Sequence, residues 1–463
     1  MSIIPDQSEL KMRYELEKVY KQDQKLSSLE KIVKIEFLIN LLVGILIISM
    51  VVLVVNWRLD LVKLIVKQDE GVIPAAEKSI PERVVLAAEN QKSPVFINEQ
   101  SVDIDKVFRV ETGTIRLTTT GVLKREVFGF LPYWVMPKLD EINLKLLTRV
   151  SYFGLEVDKN GDIIKYDSSG KILESWFYFQ GPIFDGFVKK AHSEKIKVEL
   201  TIKCFNQTNI INLVTTEDAR TKLVNNVLFL LNSRKLDGIN IDFEYIGEPT
   251  KEVRDGFSAL IIELNSELKR QNPDATLTID TFVDAASNTR IHDVGILSKN
   301  SDALVIMGYD FHTPQSGAAG PVAPMEGYGN SIVGLLGSYL EKVPSEKIIL
   351  AVPYYGYDWL VLDSGRNAET AGGQANVKII PYAEIAAATK NTKIQWDENA
   401  KTPWYSYKDG DGIRVVHFEN TRSLAYKYDY INQKNLQGVG IWALGFDGKR
   451  EELLQLLSDK FAK

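Results

Sequence analysis

From Val127 onward the chain alternates short apolar runs with amphipathic stretches of helical period, the rhythm of a parallel sheet whose strands are joined by helices. The runs lie at 127–131, 150–155, 197–202, 236–245, 276–283, 303–307, 348–353 and 439–444. A helix is expected over 215–233, with Leu223, Val227, Leu230 and Leu231 on one face and Asp218 three residues after Thr215 as a variant capping box. Val253, Phe257, Leu260, Ile261, Leu264 and Leu268 mark another that Asn272-Pro273 stops, and 451–461 would be the closing helix. Eight strands with intervening helices predict a (β/α)8 TIM barrel over 127–463. The seventh and eighth runs are too far apart for one crossover helix. A helical piece at 382–390, then the stretch 392–396 and two β-like runs at 404–407 and 413–418, predict a small α+β insertion within 357–437. The last two runs flank Lys408-Asp409-Gly410-Asp411-Gly412, a hairpin turn, and the insertion would deepen the barrel mouth into a groove suited to a polymer.

Ahead of the barrel, Phe37 to Val55 is a run of 19 residues without a charge. As a helix it would cross most of a hydrocarbon core of roughly 30 Å. It is too long for a signal-peptide core and follows 36 residues of polar character, so it reads as an uncleaved single transmembrane helix over 37–57. Lys18, Lys21, Lys25, Lys31 and Lys34 precede it, against Arg58, Lys63 and Lys67 after it, which favours a cytoplasmic segment 1–36 and an extracytoplasmic remainder. Residues 58–126, with Pro74, Pro81 and Pro94 and short β-like runs, read as a spacer that lifts the barrel off the membrane.

At 463 residues, 45% hydrophobic and 25% charged, the chain can bury a large core and has room for more than one domain. A net charge of -6 offers no electrostatic case for nucleic acid. The single Cys204 excludes an internal disulfide framework, and four scattered histidines do not look like a metal site, so neither metal nor cofactor is expected.

Candidate chemistry sits on the fourth run. Ile239, Ile241 and Phe243 share one face, while Asn240, Asp242 and Glu244 share the other. Unpaired buried charges are expensive, so the polar face should open onto a cleft. The pattern Asp237-Gly238-x-x-x-Asp242-x-Glu244 resembles the fourth-strand signature of glycoside hydrolase family 18, the retaining chitinase-like enzymes. The resemblance implies that Glu244 is the general acid and that Asp242 orients the substrate's acetamido group. Asp237 and Gly238 complete the motif, with Asp237 read as structural. After the sixth run, Met307-Gly308-Tyr309-Asp310 is similar to the family's Met-x-Tyr-Asp, which implies that Tyr309 bonds the acetamido oxygen and Asp310 contacts the sugar. Trp442, at the end of the eighth, matches the tryptophan that floors the subsite of the distorted sugar. Pro132-Tyr133-Trp134 and Tyr354-Tyr355-Gly356-Tyr357-Asp358-Trp359 resemble the family's aromatic strand ends, with Tyr133 and Tyr355 favoured as substrate contacts.

The loop over 312–324 resembles the branch of spore-cortex-lytic and related wall glycosidases, as do Trp396-Asp397, Ala400, Pro403, Tyr405, Tyr407 and Phe418-Glu419-Asn420 with Ser423. Two departures from typical chitinases stand out. The third run ends Lys203-Cys204-Phe205-Asn206 in place of Ser-x-Gly-Gly, and Asn240 replaces the usual middle Asp. Because Asn cannot ionise, Asp242 is expected to remain anionic over a wider pH range. These features together imply a membrane-anchored hydrolase that cleaves β-1,4 bonds after N-acetylglucosamine in peptidoglycan or a chitin-like polymer, by substrate-assisted catalysis. The competing reading is a non-catalytic lectin of the same fold, which typically lacks the acid that Glu244 supplies.

Overall fold

In a computed structural model of the chain, residues 122–462 are described, apart from 372, 374, 375 and 411. The expected membrane helix at 37–57, the segment before it and nearly all of the spacer lie outside the described residues. Among the described residues no helix is long and apolar enough to cross a membrane.

Eight parallel strands close into a barrel: β1 (Glu126–Pro132), β2 (Arg149–Glu156), β3 (Lys197–Cys204), β4 (Gly238–Phe243), β5 (Thr276–Phe282), β6 (Ala303–Met307), β7 (Ile348–Pro353) and, after five rim strands, β13 (Gly438–Trp442). Their order is β1-β13-β7-β6-β5-β4-β3-β2, and each of the eight expected runs supplies one strand. Helices α1 (Glu174–Gln180), α2 (Pro182–Ser193), α3 (Gln207–Thr215), α4 (Glu217–Arg234), α5 (Lys251–Gln271), α6 (Val294–Leu297) and α7 (Ile332–Leu340) lie between barrel strands. Their apolar faces cover the outer faces of the strands. On α5 all six residues of the predicted stripe are buried, and Phe257 stands 5.7 Å, ring to ring, from Phe243 of β4.

Three local predictions are corrected. The helix expected over 215–233 is α4, Glu217–Arg234, and it starts two residues later than expected, because Thr215 ends the separate helix α3, its hydroxyl donating to the Ile211 carbonyl at 2.7 Å. Thr216 is extended and makes no side-chain cap, so the expected capping box does not form. The first crossover, where the alternating pattern implies a helix, is a 3-10 segment, Tyr133–Glu141, that contains Pro137 and leaves helical geometry at Lys138. Finally, the aromatic stretch read as the end of the seventh strand is a strand of its own, β8 (Tyr355–Val361), which leaves the barrel and joins the rim.

That rim is a five-stranded antiparallel sheet in the order β10-β11-β12-β8-β9, with β9 (Val377–Pro381), β10 (Gln395–Asp397), β11 (Thr402–Asp409) and β12 (Gly412–His417). Helix α8 (Tyr382–Ala388) belongs to this insertion, and α9 (Thr421–Gln433) and α10 (Glu452–Phe461) flank β13. Arg414, buried in the sheet, donates to Asp358 at 2.8 Å, and the Tyr407 hydroxyl reaches the same carboxylate at 2.7 Å.

The barrel interior is divided. Phe128, Phe130, Phe153, Ala303, Val305, Ile349 and Ala351 form an apolar half under β1, β6 and β7. The other half is polar: Ser151, Glu199, Thr201, Asn240, Thr278 and Asp280 are all buried. At its base Arg149 bridges Glu126 and Glu199, which prevents Glu199 from being a buried unpaired charge.

Candidate active site

The site is built at the carboxyl ends of β4, β5, β6 and β13, where parallel strands leave their last side chains pointing into the barrel mouth. Gly238 opens β4 because there is no space for more: a Cβ there would lie 2.3 Å from the Thr276 hydroxyl and 2.4 Å from its carbonyl. Asp237 accepts from the Val198 amide at 2.7 Å and from His192 at 2.8 Å, which fixes the start of the strand away from the chemistry. Ile239, Ile241 and Phe243 face the helices with no exposed surface. Asn240 and Asp242 face inward and are buried, and only Glu244, one residue past the strand, is half-exposed at the mouth. The polar face therefore descends into the barrel, where the sequence suggested that all three would meet a cleft.

Glu244 donates its amide to the Cys204 carbonyl at 3.0 Å, which extends the sheet by one bond and orients the side chain. Burial first, and then the Asp310 charge, push its carboxyl up to about 7, while the Lys203 ammonium acts in the opposite sense. A carboxylic acid that keeps its proton to neutral pH is suited to protonating a leaving group. Asp242 is pushed well above the usual carboxylate range by burial, then by Asp280 and by Glu244. Its Oδ1 is buried without a hydrogen-bond donor.

Tyr309 follows β6 and lies among the acids. Burial, followed by the charges of Asp280, Asp242, Asp310 and Glu244, pushes its phenol well above its ordinary value, so it remains a neutral donor. The preceding Gly308 permits close approach to β7, since a Cβ would stand 2.7 Å from the Ala351 carbonyl. Asp310 has a left-handed backbone, φ 60°, and its Oδ1 accepts from the Tyr355 and Tyr357 hydroxyls, the latter at 2.9 Å. Both phenols come from β8, so the rim strand holds the acid in place. Tyr355 is buried, and its polar atom serves Asp310.

The half-buried Trp442 indole packs edge-on against Phe130 and Phe153, at 5.6 and 4.6 Å between centroids. Trp134, an exposed ring, lies 6.4 Å from it, whereas Tyr133 packs against the outer core. Of that adjacent pair, the tryptophan is the ring beside Trp442.

Two residues escaped sequence reasoning. Lys203 is buried at the end of β3, 2.7 Å from Glu156, with its ammonium 5.5 Å from the Phe153 ring and 5.2 Å from Phe205. It replaces the small residues of typical chitinases with a cation beside the acids. Asp280 on β5 is buried and accepts from Asn240 Nδ2 at 2.9 Å. Its signal was present in the period-two set Thr276, Thr278, Asp280, which is polar on one face like Asn240 and Asp242. Asp280 overturns one expectation: replacing the middle acid by Asn240 does not relieve Asp242 of a neighbouring carboxyl, because β5 supplies one.

The cortex-branch residues have structural work. Asp397 accepts from the Tyr328 hydroxyl at 2.8 Å, tying the 312–328 loop to the rim. Asn420 and Ser423 form a reciprocal capping box on α9, and Glu419 pairs with Lys427 at 2.8 Å inside the fold.

A family profile described as "Glycosyl hydrolases family 18" matches residues 126–447. Among curated relatives, a sporulation-specific glycosylase of Bacillus subtilis is 28% identical over 337 residues, covering 70% of this chain and 74% of the relative. The cortical fragment-lytic enzyme of the same organism is 27% identical over 258 residues, covering 54% of this chain and 55% of that one. Among solved structures, a chitinase from Cycas revoluta in complex with (GlcNAc)3 superposes with a TM-score of 0.63 at 21% identity, over 73% of this chain and 99% of that one. At that identity the match speaks for the fold.

Proposed function

The chain belongs to glycosyl hydrolase family 18 and is a chitinase-type glycoside hydrolase, and from that premise we propose that it cleaves β-1,4 bonds after N-acetylglucosamine in peptidoglycan, with retention. The observation that carries the mechanism is a half-exposed acid, Glu244, poised near neutrality above Asp242 and Tyr309. Glu244 protonates the leaving oxygen and then serves as base toward water. The substrate's own acetamido oxygen closes on the anomeric carbon, as befits a family that departs from the usual pair of carboxylates. Asp242 holds the amide N–H and offsets the positive charge of the oxazolinium, and Tyr309 donates to the acetamido oxygen. Asp310 and Trp442 line the sugar site, with Trp134 extending its aromatic wall.

Peptidoglycan is favoured over chitin by the two Bacillus relatives and by Asn240 and Lys203, which depart from the chitinase pattern. The test is product analysis by mass spectrometry after the full chain, and a Glu244→Gln control, meet peptidoglycan and chitin oligomers separately. Muropeptides ending in N-acetylglucosamine, absent with the control, support the proposal. Chito-oligomer products alone sink the peptidoglycan assignment, and binding without products points to a lectin.

We further propose that the uncharged run Phe37 to Val55 anchors the enzyme with its barrel outside the cytoplasm. Extraction by detergent but not by alkaline carbonate, with the barrel cleaved by protease added to intact protoplasts, is the expected result. Release by carbonate would refute it.

A further inference from the structure

We propose that Asp280 is a positioning residue of the reaction: it receives the proton that Asp242 gives up when a substrate amide arrives, so that Asp242 becomes the anion without a proton crossing to solvent. The inference rests on the reading of Asp242 as the group that holds the acetamide N–H. It begins with register. β4 and β5 are parallel, with Asn240 opposite Thr278 and Ile241 opposite Ile279, and one further step sets Asp242 beside Asp280 on the inner face. Both side chains are buried, with 4% and 3% of the residue exposed.

The hydrogen bonds around the pair are uneven. Asn240 Nδ2 donates to Asp280 Oδ1 at 2.9 Å and to the Thr278 hydroxyl at 3.1 Å, so its donors are directed to β5. Asp242 Oδ1 and Asn240 Oδ1 are buried acceptors with no donor at all. A proton on Asp242 supplies a donor where one is missing, while the anion on Asp280 already has one. The facing charges agree. Glu199 and Lys203 come from β3, Glu244 lies beyond β4, and Tyr309 and Asp310 lie beyond β6. Glu199 is satisfied by Arg149, and Lys203, itself paired with Glu156, is the cation that acts on Asp242 and Glu244. Two adjacent buried carboxyls in such a place hold one proton and one charge between them. Burial pushes both above the ordinary carboxylate range; Asp280 and Glu244 add to the rise of Asp242, and Glu244 and Glu199 to that of Asp280, against the hydrogen bond from Asn240.

An arriving amide N–H reverses the imbalance. It donates to Asp242, which becomes the better-solvated anion. The O–H bond on Asp242 breaks, an O–H bond forms on Asp280, and the pair keeps a net charge of one. Asp242 then faces the developing oxazolinium as a carboxylate. Asn240 cannot fill this role, because its amide does not titrate.

The experiment uses the full chain carrying Glu244→Gln to prevent turnover, an N-acetylglucosamine trimer as probe, and calorimetry in two buffers of different ionisation heat. With Asp280 present, binding at about pH 5 to 6 should release almost no proton. With Asp280→Asn, which preserves the oxygen that Asn240 bonds, up to about one proton should be released per trimer, and affinity should fall by up to about tenfold per pH unit on acidification. Equal release in the two proteins overturns the proposal. A second arm needs no ligand: from the pH dependence of unfolding, folding near pH 7 should take up about one proton in the parent and clearly less in Asp280→Asn. Adding Asn240→Asp to Asp280→Asn returns an acid to β4 and should restore the uptake. If the trimer binds neither protein, the substrate reading fails, and unchanged proton uptake in the second arm still overturns the shared proton.

Discussion

Glu244 is the acid on which the proposed mechanism rests, and burial is the first cause of its raised pKa. Its proton is held to about pH 7, so the alkaline limb of kcat should lie near that value, with activity present below it and lost above as the acid ionises. Glu244→Gln should lower kcat roughly 100-fold to 10,000-fold while the melting temperature is retained. Lys203 pulls the acidity of both Glu244 and Asp242 downward in pH. Lys203→Met should therefore move both limbs of the pH–rate profile upward, and a profile that stays in place would remove Lys203 from the electrostatics of the site. Losing the Tyr309 hydroxyl in Tyr309→Phe should cost about 100-fold in kcat if it donates to the acetamido oxygen.

Among the elements, β8 and α9 show how the insertion serves the barrel. β8 leaves the barrel after β7 and brings two phenols to Asp310, so a rim strand positions an acid of the candidate site. Tyr355→Phe combined with Tyr357→Phe should lower kcat more than either alone, read from steady-state rates. Helix α9 begins with its capping box and then buries Lys427 against Glu419, both with at most 1% of the side chain exposed. Lys427→Met alone strands a buried carboxylate and should cost about 3 to 5 kcal/mol in chemical unfolding. Pairing it with Glu419→Gln should recover much of that loss.

Across the whole molecule, the interior carries more acid than it can ionise. Asp242 and Asp280 both sit above their ordinary values, so the folded state holds protons that the unfolded chain has lost. Below about pH 4 both states are protonated and the groups contribute nothing; above it the unfolded chain ionises first and stability falls as pH rises toward the folded values. The melting temperature should accordingly be higher near pH 5 than near pH 8, and Asp280→Asn should flatten the difference. The divided interior explains why the barrel tolerates this: the apolar half under β1, β6 and β7 is packed by Phe128, Phe130 and Phe153, while the polar half is knitted by hydrogen bonds.

The eight strands, helix α5 and the closing helix were legible in the sequence because each depends on local periodicity, apolar on one face and polar or packed on the other. The motif around Glu244 and the Tyr309-Asp310 pair were legible for a related reason, since short spacings on one strand end determine which side chains share a face. What only the tertiary structure decided were meetings between distant segments: Asp280 beside Asp242, Tyr355 and Tyr357 on Asp310, Lys203 among the acids, and Trp134 rather than Tyr133 beside Trp442. Those depend on strand register and on where a rim sheet folds back. Neither is written in any one stretch, because register is set by the packing of the closed barrel as a whole.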